Sequence, residues 1–304
     1  MDNKKVWYVT GASKGLGLAL VRKLLADGYR VAATSRSSES LIKAVGTSSA
    51  GFLPLQVDLL DETSVQQSIE KTVLHFDAID VVVNNAGYGQ IGALEELSDQ
   101  ESRSNFDVNV FGVLNVIRKV LPYLRAQGSG HIFNIGSVGG YNGAFAGWGI
   151  YCATKFAVAG LTEALAAELQ PLGIYATAVY PGYFRTNFLA PDSMTVPAQP
   201  IAAYEAARAS QTLHQTEING HQAGDPEKAA AVLIRAAAGG ATAGRVTAGE
   251  VAAGEATAGE ATAGVPPVHL FLGKDSYNMV GLKDAAVKKD MENWRVLATA
   301  TDFA

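Results

Sequence analysis

Short apolar runs alternate with helix-forming segments along the first 190 residues of the chain. Six such runs lie at residues 6–9, 30–34, 52–57, 79–83, 131–135 and 174–179, and a seventh lies at residues 268–272. Continuous apolar runs of this length are typical of strands that are buried on both faces. Parallel strands need a crossover between them, usually a helix. The alternation therefore predicts an α/β fold, with a doubly wound parallel sheet of about seven strands in a three-layer α/β/α arrangement.

A chain of 304 residues is long enough for one large domain or two small ones, and we expect a single domain over residues 1–304. Hydrophobic residues make up 48% of the chain, enough for one large core, and the net charge of −5 argues against a nucleic-acid partner. Cys152 is the only cysteine, which excludes an internal disulfide and a cysteine-cluster metal site, and we expect no metal. No apolar run reaches the roughly 18 residues of a membrane helix, and no signal peptide precedes the first strand. We therefore expect a cytoplasmic protein with no membrane partner.

A glycine-rich turn joins the first strand to the first helix. Its glycines have the spacing Gly-x-x-x-Gly-x-Gly, which differs from the commoner Gly-x-Gly-x-x-Gly. Glycine lets a backbone turn tightly and approach a pyrophosphate, and the free N–H groups of a helix N-terminus bind anions. We therefore predict that this turn binds a nucleotide. The predicted contacts are Gly11, Ser13, Lys14, Gly15, Leu16 and Gly17.

The end of the second strand predicts which dinucleotide binds. An acidic residue at this position would bind the ribose 2′-hydroxyl of NAD, but the chain has Ser35 and Arg36 there. Arg36, together with Lys14 of the glycine turn, can instead neutralise a 2′-phosphate. Either cation alone could be an ordinary surface charge. Both together favour NADP(H) over NAD(H).

Polar residues and glycines also follow the third and fourth strands, where a doubly wound sheet binds its ligand. Asp58 and Leu59 follow the third strand, and Asn84, Ala86 and Gly87 follow the fourth. Asp58 can accept a hydrogen bond from an adenine amino group or cap the next helix, and the sequence does not separate these two roles. We predict that all five residues contact the cofactor.

Tyr151 and Lys155 lie four residues apart in a predicted helix. This spacing places both side chains on one face, one turn apart. A free phenol has a pKa of roughly 10, and a fixed ammonium beside it favours the phenolate, so the pair could pass a proton to or from a substrate oxygen. Chance alone gives roughly half a pair of this spacing in a chain of this composition. An exposed helix with an incidental pair is therefore the alternative interpretation.

Two further polar residues are candidates for the same site. Ser137 follows the fifth strand, 14 residues before Tyr151. Asn109 lies inside a long helical region that begins at the capping box of Ser98 and Glu101 and runs to about residue 127. Asparagine is mildly unfavourable inside a helix, because its side chain competes for backbone hydrogen bonds. Its presence indicates either a functional kink or a tolerated interior residue.

Taken together, these motifs make the chain resemble the short-chain dehydrogenase/reductase family, in the branch with a Ser-Tyr-Lys-Asn tetrad. The resemblance covers about residues 4–190, and the motifs follow one another in the family's order. It implies a Rossmann-like domain that transfers a hydride between NADP(H) and a carbonyl or secondary-alcohol carbon of a small molecule. The catalytic residues that it implies are Asn109, Ser137, Tyr151 and Lys155.

The resemblance also implies a role for each residue. Tyr151 would act as the general acid in reduction and the base in oxidation, while Lys155 would lower its pKa and hold the nicotinamide ribose. Ser137 would donate a hydrogen bond to the substrate oxygen, and Asn109 would fix a water next to Lys155. A homodimer or homotetramer is expected. Two alternatives to this oxidoreductase function are a 3-oxoacyl-carrier-protein reductase and a non-catalytic NADP-sensing protein. The residues implied to contact the nicotinamide are Pro181, Gly182 and Thr186.

Two segments lie outside the motifs. Residues 187–223 correspond to the family's substrate loop region and contain Arg208 as their only strong cation. Residues 241–265 are five near-copies of a five-residue unit such as Ala-Thr-Ala-Gly-Glu, whose period matches neither a helical face nor a strand. This repeat predicts a flexible surface loop. The aromatic residues near the expected cleft hint at an apolar ketone as the substrate: Phe145, Trp148, Tyr183, Phe184 and Phe188.

Replacing residues 241–265 with a short Gly-Ser link is expected to leave Tm and kcat/KM almost unchanged. The side chains of the repeat are too small and too polar to bury much area, and doubling the length of a loop costs only about 0.6 kcal/mol. Thermal melting and steady-state kinetics of the shortened chain check this expectation. A sharp rise in KM would instead indicate that the repeat covers the substrate loop region as a lid.

Overall fold

The structure is a computed structural model that describes residues 4–238 and 265–303. Its strands are β1 (Val6–Val9), β2 (Arg30–Ser35), β3 (Phe52–Gln56), β4 (Val81–Asn84), β5 (Gly89–Gln90), β6 (Gly130–Ile135), β7 (Ile174–Pro181), β8 (Met194–Thr195) and β9 (His269–Leu272). Seven of these form one sheet in the order β3-β2-β1-β4-β6-β7-β9, in which every neighbouring pair is parallel. The predicted parallel α/β sheet of about seven strands is confirmed.

Helices cover both faces of this sheet. The helices are α1 (Gly15–Ala26), α2 (Ser38–Val45), α3 (Glu62–Phe76), α4 (Asp99–Phe106), α5 (Gly112–Gln127), α6 (Gly149–Leu169), α7 (Glu205–Thr212), α8 (Pro226–Ala237) and α9 (Lys274–Thr299). Trp7 and Val9 of β1 pack into the core cluster with α1, α2 and α8, whereas Val6 and Tyr8 pack into the cluster with α3, α5 and α6. Both faces of the strand are buried, which explains why the strands show as continuous apolar runs in the sequence.

The strand order places a ligand crevice between β1 and β4. The chain proceeds from β1 outward to β3 and then returns to β4 on the other side of β1. Connections that leave neighbouring strands in opposite directions open a crevice at the carboxyl ends of those strands. The predicted site segments follow the strands at this same edge.

Two helical regions differ from the sequence predictions. The helical region predicted from Ser98 to about residue 127 is not one α-helix, because the π-helical segment Asp107–Phe111 separates α4 from α5 and contains Asn109. Segments of this kind are rare and frequently lie at functional sites, which favours a functional kink over a tolerated interior asparagine. The sequence reasoning also missed α2, whose N-terminus is capped by the Ser37 side chain.

Two expectations from the sequence concern segments with a special composition. Residues 241–264 of the repeat lie outside the described residues, so the flexible loop stays a prediction.

Among the described residues, one helical stretch, Gly149–Leu172, is long and apolar enough to cross a membrane by length and composition alone. This stretch contains α6, and 44% of its most apolar window is buried within the protein. A core helix that packs on a sheet has the same properties.

Candidate active site

A cavity of about 880 Å³ opens at the carboxyl ends of the strands. The loops after β1, β2, β3, β4, β6 and β7 all contribute to its wall. Of the predicted site residues, only Gly17, Asn84 and Asn109 do not line it. Those that line it are Gly11, Ser13, Lys14, Gly15, Leu16, Arg36, Asp58, Leu59, Ala86, Gly87, Ser137, Tyr151, Lys155, Pro181, Gly182 and Thr186.

The glycine turn has the backbone shape that an approaching pyrophosphate requires. Gly11 and Gly15 have φ angles of +64° and +60°, in the left-handed region that glycine adopts without strain. A Cβ on Gly11 would lie only 2.7 Å from the Cα of Ala86, so the turn packs directly against the loop after β4. No side chain caps the N-terminus of α1 at Lys14, which leaves the first N–H groups of the helix for an anion. The residues present therefore fit a nicotinamide dinucleotide.

Two of the predicted cofactor contacts lie behind the cavity wall. A Cβ on Gly17 would lie 2.7 Å from the carbonyl oxygen of Gly11, so this glycine permits close packing of α1 on the turn. The Asn84 side chain is 2% exposed and donates a hydrogen bond to Asn134 Oδ1 at 2.8 Å. The next residue, Asn85, lines the cavity, and its Nδ2 donates to the Gly11 carbonyl oxygen at 3.0 Å. Asn85, which was not among the predicted cofactor contacts, holds the glycine turn in place.

Two cations lie at the part of the cavity predicted to bind a 2′-phosphate. Arg36 is exposed, lines the cavity and has no hydrogen-bond or ion-pair partner within the described part of the chain. Lys14 Nζ donates to Asp192 Oδ2 at 2.7 Å, and the two side chains are 40% and 65% exposed. An exposed ion pair contributes at most about 1 kcal/mol, so Lys14 can exchange this partner for a phosphate at little cost. Arg36 needs no such exchange.

Of the two roles that the sequence left open for Asp58, capping the next helix is excluded, because the N-cap of α3 is Asp61, whose side chain accepts from the Thr63 N–H. One of its carboxylate oxygens accepts a hydrogen bond from the Leu60 N–H at 2.9 Å, and the residue lines the cavity. The carboxylate therefore orders its own turn and still has lone pairs for an amino group. Within residues 4–238 and 265–303, no group of three or more His, Cys, Asp or Glu side chains is placed to hold a metal ion.

Ser137, Tyr151 and Lys155 lie together in the wall of the cavity. Tyr151 and Lys155 are only 7% and 5% exposed, and the Lys155 Nζ lies 5.8 Å from the centroid of the Tyr151 ring. Lys155 Nζ donates to the Ile135 carbonyl oxygen at 2.9 Å, which fixes the side chain against β6. Ser137 Oγ accepts a hydrogen bond from the Gly139 N–H at 3.0 Å, so its own proton is free to be donated. Their burial argues against an exposed helix with an incidental pair.

Burial shifts the pKa values of both Tyr151 and Lys155. It raises the pKa of Tyr151 above its ordinary value, and a hydrogen bond with Ser137 offsets only part of this effect. It lowers the pKa of Lys155 to about 8. Desolvation is the largest effect on the Tyr151 pKa in this structure, and the expectation that Lys155 lowers it stays a prediction. Tyr151 is therefore a neutral phenol at neutral pH, the form that can donate a proton.

Asn109 is fully buried and connects three parts of the site. Its Oδ1 accepts from the Tyr88 N–H at 3.1 Å, and its Nδ2 donates to the Tyr88 carbonyl oxygen at 3.0 Å and to Thr154 Oγ1 at 3.1 Å. A Cβ on Gly87 would lie 3.0 Å from Asn109 Oδ1 and 3.5 Å from Lys155 Nζ, so both side chains border Gly87. Asn109 thus ties the π-helical segment to α6 and to the loop after β4. The water that it was expected to fix stays a prediction.

The five aromatic residues expected near the cleft all line the cavity, namely Phe145, Trp148, Tyr183, Phe184 and Phe188. The ring centroids of Trp148 and Phe188 lie 5.5 and 5.6 Å from that of Tyr151. A substrate carbonyl that reaches Tyr151 would therefore lie between apolar rings. The sequence reasoning missed His214, which also lines the cavity. A single histidine in a polar segment without periodicity gave no signal of its position.

Comparison with known proteins finds relatives over nearly the whole chain. A family model described as short chain dehydrogenase matches residues 5–196. Oxidoreductase BOA17 from Botryotinia fuckeliana is 33% identical over 300 residues, which cover 98% of this chain and 99% of the relative. A short-chain dehydrogenase structure from Streptomyces avermitilis matches with a TM-score of 0.82 at 32% identity, over 98% of this chain and 100% of the other.

Two further solved structures contain a bound dinucleotide. A short-chain dehydrogenase/reductase from Burkholderia phymatum in complex with NAD is 27% identical, with a TM-score of 0.66 over 77% of this chain and 86% of the other. ElxO with NADP bound is 28% identical, with a TM-score of 0.62 over 76% of this chain and 90% of the other. Structures similar to this chain thus bind one or the other nicotinamide dinucleotide.

Proposed function

The chain belongs to the short-chain dehydrogenase/reductase family of NAD(P)-dependent oxidoreductases, and from this premise we propose that it transfers a hydride between NADP(H) and a carbonyl or secondary-alcohol carbon. The observation that carries the proposal is the convergence of Ser137, Tyr151 and Lys155 on one cavity whose other wall is the glycine turn. A proton donor, a hydrogen-bond donor and a cation thus surround one point beside a dinucleotide site. This is the set of groups that carbonyl reduction needs.

In the direction of reduction, the protein supplies one proton and stabilises developing charge. The bound nicotinamide supplies the hydride, which the carbonyl carbon receives. The Tyr151 phenol transfers its proton to the carbonyl oxygen, and the Ser137 hydroxyl donates a hydrogen bond to the same oxygen as negative charge develops on it. The Lys155 ammonium stabilises the phenolate that remains on Tyr151 until solvent returns a proton. Oxidation of the alcohol reverses each step, with the Tyr151 phenolate as the base.

Turnover of NADPH with a panel of aldehydes and ketones tests this function directly. The loss of nicotinamide absorbance should depend on both the enzyme and the carbonyl compound, and an alcohol of matching structure should be formed. Binding of NADPH without turnover of any carbonyl compound, or of any alcohol with NADP⁺, would favour the alternative of a non-catalytic NADP-sensing protein. The presence of both Tyr151 and Lys155 in the cavity argues for catalysis.

The 3-oxoacyl-carrier-protein reductase alternative is less well supported. An acidic carrier protein needs a basic surface at the mouth of the site, and Arg208 is the only strong cation of residues 187–223. Arg208 forms an ion pair with Glu96, whose side chain is completely buried. Removing Arg208 from this partner would leave a buried carboxylate without its counter-charge, which is costly. Arg208 is therefore not available to a carrier protein.

We propose a homodimer or homotetramer that forms through α5 and α6. Some small residues of α6 are buried and others are exposed. The exposed ones include Ala153, Gly160 and Ala164, and Phe156 on the same helix is 43% exposed. A Cβ on Gly160 would meet open space, so a larger side chain there leaves the subunit intact. Light scattering should show an oligomer at micromolar concentration that Gly160→Lys shifts toward monomer. Leu74→Lys, at an 86% exposed position of α3, is the matched control, and a monomeric parent protein would contradict the proposal.

The pH dependence of cofactor use should report the ionisation of Lys155. Burial lowers the pKa of Lys155 to about 8, so its ammonium is present below this pH and is lost above it. The ratio kcat/KM for NADPH reports groups of the free enzyme and should fall as the pH rises through about 8. The raised pKa of Tyr151 places the loss of its proton at higher pH. A flat profile up to pH 10 would show that the charge on Lys155 is not needed. In the Lys155→Arg variant, the decline of kcat/KM should move to higher pH, because arginine keeps its charge.

A further inference from the structure

A second polar pair lies in the cavity, apart from the catalytic residues. Tyr183 lies two residues after the end of β7, and His214 lies in a π-helical segment, Leu213–Ile218. Both residues line the cavity, and the Tyr183 hydroxyl lies 2.9 Å from His214 Nε2. The mechanism proposed above uses neither of them. The inference that follows rests on that proposed function and concerns the substrate.

The neighbours of His214 fix the direction of this hydrogen bond. His214 Nδ1 lies 2.7 Å from the Ser210 carbonyl oxygen, which can only accept, so Nδ1 carries a proton. Burial lowers the pKa of His214, which keeps the ring neutral at neutral pH. A neutral imidazole with a proton on Nδ1 has an acceptor at Nε2. The Tyr183 hydroxyl therefore donates its only proton to His214.

A phenolic oxygen that has given its proton away can only accept. Within the described residues, the Tyr183 hydroxyl has no hydrogen-bond partner other than His214. Tyr183 and Tyr151 line the same cavity, and the Trp148 ring packs against both Tyr151 and His214, the partner of Tyr183. A substrate held at Tyr151 thus meets an acceptor nearby that requires an O–H or N–H group.

Apolar rings pack around both Tyr151 and His214. The Trp148 ring centroid lies 4.8 Å from that of His214 and 5.5 Å from that of Tyr151. The Phe188 ring centroid lies 5.6 Å from that of Tyr151. We propose that Tyr183 determines substrate specificity by accepting a hydrogen bond from the substrate. The preferred substrate is then an apolar ketone with a hydroxyl or amino group close to the reacting carbonyl, or the corresponding alcohol.

Three aryl ketones that differ at one position test this proposal. Acetophenone has no second polar group, α-hydroxyacetophenone adds a donor and an acceptor, and α-methoxyacetophenone adds an acceptor only. Because a hydrogen bond contributes about 0.5–1.5 kcal/mol, Tyr183→Phe should lower kcat/KM for the hydroxy ketone by about 2- to 10-fold. The loss should appear mainly in KM, since it removes binding rather than transition-state stabilisation. Acetophenone and the methoxy ketone should be affected little.

A second variant reverses the polarity of the site. In His214→Leu the Tyr183 proton has no acceptor and becomes free to be donated. The ratio of kcat/KM for the methoxy ketone to kcat/KM for the hydroxy ketone should therefore be higher than in the parent enzyme. Tyr175→Phe, on β7 but outside the cavity, is the matched control and should change none of the three values. This pattern is expected only if the Tyr183 hydroxyl changes from an acceptor to a donor when His214 is removed. A general loss of packing would lower all three values alike.

Two outcomes separate this inference from the proposed function. If Tyr183→Phe changes kcat/KM equally for all three ketones, or not at all, the specificity role of Tyr183 is wrong and the proposed function stands. The same holds if the parent enzyme reduces other carbonyl compounds of the panel but none of these three. If it turns over no carbonyl compound and no alcohol, the proposed function fails as well.

Discussion

Replacing Tyr151 with phenylalanine is expected to lower kcat by at least about 100-fold, the lower range for general acid–base catalysis. The substitution removes only the phenolic oxygen, so the ring keeps its contacts with Trp148 and Phe188. Lys155 keeps its hydrogen bond to the Ile135 carbonyl oxygen. The fold and the affinity for NADPH should therefore survive. Steady-state kinetics with the best carbonyl compound of the panel, together with fluorescence titration of NADPH, measure the two quantities separately.

The matched control for this variant is another buried tyrosine. Tyr8 is fully buried in β1, where its hydroxyl shares a hydrogen bond of 2.6 Å with Ser68 Oγ, and neither residue lines the cavity. Tyr8→Phe should lower Tm slightly, because one buried hydrogen bond is lost, and should leave kcat unchanged. Turnover of Tyr151→Phe close to that of the parent enzyme would disprove the role of Tyr151. A loss of NADPH binding in that variant would show that the phenol holds the cofactor instead.

The sheet could be predicted from sequence because its strands are buried on both faces. Val6–Val9 and Val81–Asn84 show as apolar runs, since neither strand has a solvent-exposed face that would admit polar residues. The π-helical segment around Asn109 could not be predicted. Its geometry depends on hydrogen bonds to Tyr88 and Thr154, which come from distant parts of the chain. The sequence showed only that an asparagine was out of place in a helix.

Residues of the candidate site could be predicted where a glycine or a polar residue follows the end of a strand. Gly11, Ser137 and Gly182 all follow strands at the edge where the cavity opens. The pKa of Tyr151 was not predictable in this way, because the spacing to Lys155 is local and the desolvation of the phenol depends on packing by the whole site. The Tyr183–His214 pair could not be predicted either, because Tyr183 belongs to a motif whereas His214 lies in a segment that contains none.

Arg36→Ala is expected to weaken NADPH binding by about 10- to 100-fold, because a charge-assisted hydrogen bond to phosphate contributes about 1.5–3 kcal/mol. Arg36 is exposed at the end of β2 and has no partner among the described residues, so its removal should leave stability unchanged. NADH lacks the 2′-phosphate and should bind the variant nearly as well as the parent protein. Titration of both cofactors against both proteins gives the four dissociation constants that this comparison needs.

The ion pair between Lys14 and Asp192 makes the contribution of Lys14 separable from that of Arg36. Lys14 must leave Asp192 to reach a phosphate, so Lys14→Ala should cost less NADPH affinity than Arg36→Ala. Asp192→Asn removes the competing carboxylate and should tighten NADPH binding without affecting NADH. Arg22→Ala is the control for a general loss of positive charge, because Arg22 lies on α1 outside the cavity and donates to the Ala44 carbonyl oxygen at 3.1 Å. Equal losses for NADPH and NADH in Arg36→Ala, or a parent enzyme that prefers NADH, would show that these cations do not bind a 2′-phosphate.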